Sequence, residues 1–267
     1  LWCLFPPPNL RNQPDRPWFA SAATFEQLYG SDTHPYKYGS AFVQCQTPTA
    51  YTPSMVSVVP GHRVPSNLSH TARILDGGNL VPIINSRNMK PRYRLGACVK
   101  VIPPAFDRVD HVIEYLEYYL MMGVEHFTVY SNSTDAAINC ALDTYVQRGV
   151  LEVVDYKLDM DPVDAHMEVH VSGSVGSVTD CVLRRQHQYE YVLQIFDFDE
   201  FLVPRQGEHG ILQLIDSVMA HHNISGRGEV AAMSFQTAYF MEQPPTTAFG
   251  AATHDWTKTR TDTRERV

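Results

Sequence analysis

A chain of 267 residues, 44% hydrophobic and 19% charged, can bury at least one sizeable core, and its length predicts about two domains. Usage this ordinary excludes disorder, collagen and low complexity. Lys and Arg number 21 against 29 Asp and Glu, for a net charge of -8 without a basic run, so no nucleic-acid partner is expected; no apolar stretch reaches the roughly 18–20 residues of a membrane helix.

Residues 1–92 are rich in Pro, Ser, Thr and Tyr, with β-prone runs at Ala41–Cys45 and Met55–Val59 between turn signals, and read as a small, mostly β module. The texture changes after Pro91, where Leu95–Ile102 reads as a buried strand stopped by Pro103 and Pro104, and a second domain is expected over 93–267. From Asp107 to Met122 the apolar positions Val109, Val112, Ile113, Leu116, Tyr119 and Leu120 recur at helical spacing, with Gly123 as the C-cap. Val124–Tyr130 then reads as a strand, Asp135–Arg148 as a helix closed by Gly149, and Val150–Tyr156 as a strand. A variable stretch, 157–177, leads into a helix over Val178–Tyr189 and a near-continuous apolar strand, Tyr191–Phe196. Alternation with such short connections predicts an α/β fold, a parallel sheet with helices on its faces and ligands at the carboxyl ends of its strands.

Just past the last strand come Asp197, Asp199 and Glu200, three carboxylates among Phe196, Phe198, Phe201 and Leu202. Two oxygen ligands spaced i, i+2 where a sheet opens to solvent suit a hard divalent cation, and carboxylates beside so much apolar surface need a cation or hydrogen bonds to offset repulsion and desolvation. The other D-x-D, Asp159 and Asp161 with Asp164 nearby, reads as a solvated acidic turn, lacking the glycine and distal glutamate of a calcium loop. His166 and His170 flank Glu168 at zinc-like spacing, but Pro162 and the glycines 173 and 176 argue against a helix there, so they read as loop. Arg184 and Arg185, on the helix before the last strand, either aim a guanidinium at a diphosphate or cap and solvate that helix. The chain has no G-x-x-x-x-G-K-S/T loop, no G-x-G-x-x-G after the first strand and no G-x-S-x-G elbow. What remains is metal-diphosphate chemistry of the kind used in glycosyl transfer.

The five cysteines, Cys3, Cys45, Cys98, Cys140 and Cys181, form no C-x-x-C pair or zinc spacing. Three N-x-S/T sequons, at Asn67, Asn132 and Asn223, suggest a secretory compartment, where the cysteines tend to pair and one is left over. Starting at Leu1 and stopping at Val267 with no closing element, the chain reads as a fragment.

The block Tyr191–Pro204, YVLQIFDFDEFLVP, resembles the metal-motif block of glycosyltransferase family 92. Upstream, Leu95–Pro104, the Ile113–Glu117 helix segment, Gly123–Tyr130 and Thr179–Cys181 are similar to that family's segments in the same order, and Leu1–Cys3 with Ala41–Cys45 resemble its N-terminal cysteine-bearing region. The resemblance implies a GT-A, Rossmann-like nucleotide-sugar-binding domain behind the β module and a divalent metal, usually manganese. It also implies UDP-galactose as donor, a glycan acceptor and inversion at the anomeric carbon. A type II Golgi membrane protein is implied too, with its catalytic domain luminal and its anchor absent from this chain. The metal motif maps onto Asp197, Asp199 and Glu200, with Asp199 the expected direct ligand; Glu200, Asp180 and Arg184 are the expected donor-binding residues. A Cys3–Cys45 disulfide is implied as well. The general base is expected beyond residue 267, since Glu229, Glu242 and Asp255 read as structural or solvated. The competing expectations are a non-catalytic luminal carbohydrate- or nucleotide-binding relative and a nucleotidyltransferase.

Overall fold

In a computed structural model of the chain, residues 1–8, 18–27, 36–61, 80–84, 90–133, 135–158, 168–169, 173–195, 197–204, 207–225 and 230–235 are described. Residues Leu1–His221 make one compact unit and His222–Val267 a second, most of which lies outside those residues. No helix among the described residues is long and apolar enough to cross a membrane.

The Pro-rich N-terminal third supplies short strands between turns. These are β1 (Trp2–Phe5), β2 (Phe19–Gln27), β3 (Ala41–Cys45), β4 (Met55–Val59) and β5 (Leu80–Pro82), an antiparallel sheet in the order β3-β2-β1-β4-β5. The two β-prone runs of the sequence are β3 and β4. Cys3, Leu4 and Phe5 of the central β1 are buried. The Cys3–Cys45 disulfide implied by the family resemblance forms, joining the two neighbours of β2 with Cα atoms 5.9 Å apart. In a flat sheet strands two places apart lie roughly 10 Å from each other, so the sheet curls about β2.

The second sheet is parallel throughout, as the strand–helix alternation predicts. Its strands β6 (Tyr93–Ile102), β7 (His126–Ser131), β8 (Leu151–Asp155) and β9 (Tyr189–Ile195) stand in the order β8-β7-β6-β9. Between them run α1 (Val109–Met121), α2 (Ala136–Gln147) and α3 (Ser174–Arg185), and α4 (Ile211–His221) follows β9. Helix α1 forms because Val112, Tyr115, Leu116 and Tyr119 make one buried stripe. It is followed by Gly123 at φ 96°, as α2 is by Gly149 at φ 73°, the left-handed geometry that glycine adopts without steric cost. Asp135 caps α2 by accepting from the Ile138 N–H at 2.8 Å. Successive β7 residues face opposite layers. Phe127 meets Tyr115 of α1, ring centroids 6.4 Å apart, whereas Thr128 accepts from Arg185 of α3 at 2.8 Å. A second disulfide, Cys98–Cys181, fastens β6 to α3.

The largest departures from the sequence reading lie around α3 and the start of β9. Helix α3 begins at Ser174 rather than at residue 178, with Gly173 at φ 78° before it. Gly176 lies inside the helix because a Cβ there would stand 2.8 Å from Ser40 Oγ, so this glycine serves close packing and does not break the helix. Helix α3 ends at Arg185 because Tyr189 already belongs to β9, in register with Tyr93. Strand β9 is described from Tyr189 to Ile195, and Phe196, the end expected from the sequence, lies outside the described residues. Helix α4 has no counterpart in the reading, although Ile211, Leu214 and Ile215 give it a buried stripe.

Candidate functional site

The carboxyl ends of β6 and β9 lie side by side, and the irregularity of β6 decides what they present. Along the β6–β7 ladder Val99 pairs with Val129 and Val101 with Tyr130, so Lys100 is an extra residue, a β-bulge. Its effect is visible in the packing: Cys98 and Val101 share one buried cluster with Tyr130 and Cys181, although residues three apart on a regular strand face opposite sides. Val101 therefore takes the place against α3 that Lys100 would have had, and the Lys100 ammonium ion-pairs with Asp197 Oδ1.

Asp197 stands two residues beyond β9, at the start of a turn closed by Glu200 N–H donating to the Asp197 carbonyl at 3.2 Å. The residue between the aspartates orients them. Phe198 is buried against Phe106 (5.5 Å) and Tyr115 (5.3 Å), so its neighbours on the turn, Asp197 and Asp199, face the cleft. Helix α1 clamps the next stretch: Tyr119 Oη donates to the Glu200 carbonyl at 3.0 Å and accepts from Leu202 N–H at 2.9 Å, and Tyr118 Oη donates to the Leu202 carbonyl at 2.9 Å.

Lys100, Pro103, Phe106, His111, Asp197 and Asp199 line a cleft of about 170 Å³. Sites that enclose a whole small ligand start at roughly 300 Å³, so this one suits a phosphate-sized portion of a larger molecule. Burial lowers the Lys100 pKa, and the charges of Asp199 and Glu200 pull it back up. His111 Nε2 lies 2.5 Å from Arg108 Nη2, with Arg108 also paired to Asp110.

Asp180 and Arg184 form a second group on α3. Arg184 Nε donates to Asp180 Oδ2 at 2.9 Å, and Tyr130 Oη, next to last on β7, donates to the same oxygen at 2.5 Å. Burial and then the Asp180 carboxylate push the Tyr130 phenol well up. This group also sits at the carboxyl edge of the sheet, but neither Asp180 nor Arg184 lines the cleft. Glu200 does not line it either and meets α1 through its backbone. Arg185 is buried, ion-paired to Glu152 at 2.5 Å, and so braces the opposite end of the strands. Glu168 ion-pairs with Lys37 at 3.4 Å; Asp159, Asp161, Asp164, His166, His170, Glu229, Glu242 and Asp255 lie outside the described residues, as does Asn67.

The sequence reading overlooked Lys100, His111 and Tyr130. For Lys100 a signal existed, a lone charge in the otherwise apolar run Leu95–Ile102. For His111 and Tyr130 the link is purely spatial.

Among the described residues no three His, Cys, Asp or Glu side chains gather as a metal cage. The pair Asp197 and Asp199 fits a different class: small hard cations are held by one or two carboxylates, the rest of the shell coming from water and substrate phosphate. Carboxylate ligands, an adjacent ammonium and a phosphate-sized cleft suit such an ion; they do not suit a structural zinc site.

The acidic turn beyond a parallel strand, facing a cleft with a lysine on the neighbouring strand, lies at the carboxyl edge where open α/β sheets bind their ligands. The chain belongs to glycosyltransferase family 92, whose family model matches residues 93–266. That range contains the whole parallel sheet and the acidic turn. A search of curated proteins finds no match. Membership makes this chain a glycosyltransferase and implies a nucleotide-sugar donor and a glycan acceptor.

Proposed function

We propose that the chain is a metal-dependent, inverting hexosyltransferase of GT-A type that moves galactose from UDP-galactose onto a glycan acceptor in the Golgi lumen. The observation that carries the reading is the turn Asp197-Phe198-Asp199, anchored by its phenylalanine and opening both carboxylates to a cleft beside Lys100. Asp199 is the principal ligand, since among the described residues it has no hydrogen-bonded or ion-paired partner, while Asp197 is held by Lys100. Manganese bound there supplies Lewis-acid stabilisation of the negative charge that grows on the leaving diphosphate. Asp180 and Arg184 contribute to the donor side from the same edge, with Tyr130 holding the Asp180 carboxylate in place. Glu200 acts through its backbone, fixing the turn against α1. Residues 1–92 are an accessory β module before the catalytic domain 93–267.

Two disulfides support an oxidising lumen. Asn223, exposed at φ 55° just after α4, is a sequon open to solvent. Calorimetric titration with UDP-galactose, UDP-glucose and GDP-mannose in manganese buffer tests the donor. UDP-galactose is expected to bind most tightly, and to bind far more weakly in chelator; preference for GDP-mannose, or binding indifferent to chelator, would contradict the reading.

A further inference from the structure

We propose that Lys100 is an exchangeable counter-ion of the cleft: it neutralises Asp197 while the donor is absent and passes its ammonium to the donor diphosphate when Asp197 turns to ligate a divalent cation. The inference rests on the donor-site reading above and adds a residue and a binding order to it.

The bulge is the first ground. A bulge leaves one residue out of the ladder and re-aims its side chain. On a regular β6 Lys100 would face α3 beside the buried Cys98–Cys181 disulfide, and Val101 would line the carboxyl edge. The irregularity packs Val101 against α3 while it still borders the cleft, and it delivers the Lys100 cation to the cleft that Asp197 and Asp199 line.

The second ground is the asymmetry of the pair. The Lys100 side chain is 21% exposed and that of Asp197 44%. The Lys100 stem is thus held at the cleft by its strand, whereas the Asp197 carboxylate sits on a turn and is more open to solvent. Partly exposed ion pairs contribute little to stability, so the pair parts readily. Lysine rather than arginine suits the exchange, being a compact charge with three donors on a flexible stem, which contacts phosphate as a point charge.

A third ground is charge arithmetic. With Lys100 in place the cleft's Lys100, Asp197 and Asp199 sum to one negative charge, so a divalent cation leaves it positive and receptive to a diphosphate. Without Lys100 the same cation is merely neutralised.

Exchange and a purely structural pair predict different signs. If Lys100 only braces Asp197, Lys100→Met weakens manganese and UDP alike. If it exchanges, Lys100→Met removes a competitor for Asp197, so manganese alone binds about tenfold tighter, while UDP in saturating manganese binds about tenfold weaker. In chelator, Asp197→Asn frees Lys100 and raises UDP affinity about fivefold, a gain abolished in Asp197→Asn/Lys100→Met. The full chain is titrated with manganese, followed by the electron resonance of the free ion, and with UDP by calorimetry. Manganese and UDP affinities moving together, or neither moving, overturn the exchange while leaving the donor site intact. A wild-type chain that fails to bind UDP in manganese overturns the donor reading and the exchange with it. Should Lys100→Met not fold, judged by thermal unfolding, the Asp197→Asn comparison in chelator decides alone.

Discussion

Phe198 shows how a single apolar side chain sets up a polar site. It is 5% exposed and packed between Phe106 and Tyr115, and that burial anchors the turn from which Asp197, paired with Lys100, and Asp199 reach the cleft. Phe198→Ala should therefore cost about 3–5 kcal/mol in urea unfolding and loosen the turn. UDP binding in manganese should weaken more than tenfold under conditions where the variant is still folded. Unchanged UDP affinity would place the aspartates under some other control.

His126 offers a residue-scale test of the opposite end of the sheet. It stacks on Tyr93, centroids 4.7 Å apart, and shares a 2.5 Å hydrogen bond with Tyr189 Oη. Burial, with the nearby Arg185 charge adding to it, lowers its pKa from 6.5 to about 4. The unfolded chain thus takes up a proton near pH 6.5 that the folded chain refuses until about pH 4. Stability is unaffected by this group above that window and falls as the pH drops through it. At about 1.4 kcal/mol per unit, the loss is on the order of 3 kcal/mol by pH 4. His126→Gln should flatten that part of the stability–pH curve in urea titrations; a slope equal to wild type would mean that other groups cause it.

At the scale of elements, α3 is tied to the sheet twice within its C-terminal half. Cys181 bonds Cys98 on β6, and Arg185 reaches Thr128 on β7 and Glu152 on β8. The Cys98–Cys181 bond spans 83 residues, for which loop-closure entropy gives roughly 4–5 kcal/mol. The Cys98→Ala/Cys181→Ala double variant should lose a large part of that in thermal unfolding. Non-reducing peptide mapping should find Cys3–Cys45 and Cys98–Cys181 bonded, with exposed Cys140 open to alkylation. Cys140 in a disulfide would contradict the assignment.

The same scale shows what the sequence could and could not disclose. Strand and helix positions from β6 to β8 were legible because hydrophobic period and glycine C-caps agree there, as at Gly123 and Gly149. The start of α3 was not, because Gly173 and Gly176 look like helix breakers, and only contact with Ser40 and Tyr156 explains a glycine inside the helix. The bulge at Lys100 was invisible for a related reason: register is a relation between strands, and V-K-V reads the same whether or not the ladder slips. Asp197 and Asp199 were legible because an apolar strand points at them. Which side chains join them in the cleft is decided by β6 and α1, far away in sequence.

At the scale of the whole molecule, an antiparallel sheet cross-linked by one disulfide and a parallel sheet fastened to α3 by another belong to one compact unit, with contacts between Lys37 and Glu168, Tyr38 and Val169, and Ser40 and Gly176. The family match over residues 93–266 makes the parallel sheet the glycosyltransferase part. Its carboxyl edge carries the acidic turn, Lys100 and the Asp180–Arg184 pair, while the buried His126–Arg185 network occupies the other end. Stability and ligand chemistry are thus assigned to opposite ends of the same strands.

The central claim, a metal-dependent donor site built on Asp199, is tested most directly by thermal unfolding of the chain with UDP, with and without manganese, beside Asp199→Ala. Ligand at 100 times its dissociation constant adds about 2.7 kcal/mol, or roughly 5–10 °C for a chain of this size. The account predicts that shift only when UDP and manganese are both present, and none in Asp199→Ala. An equal shift in the variant, or a shift with UDP that manganese does not affect, would contradict it.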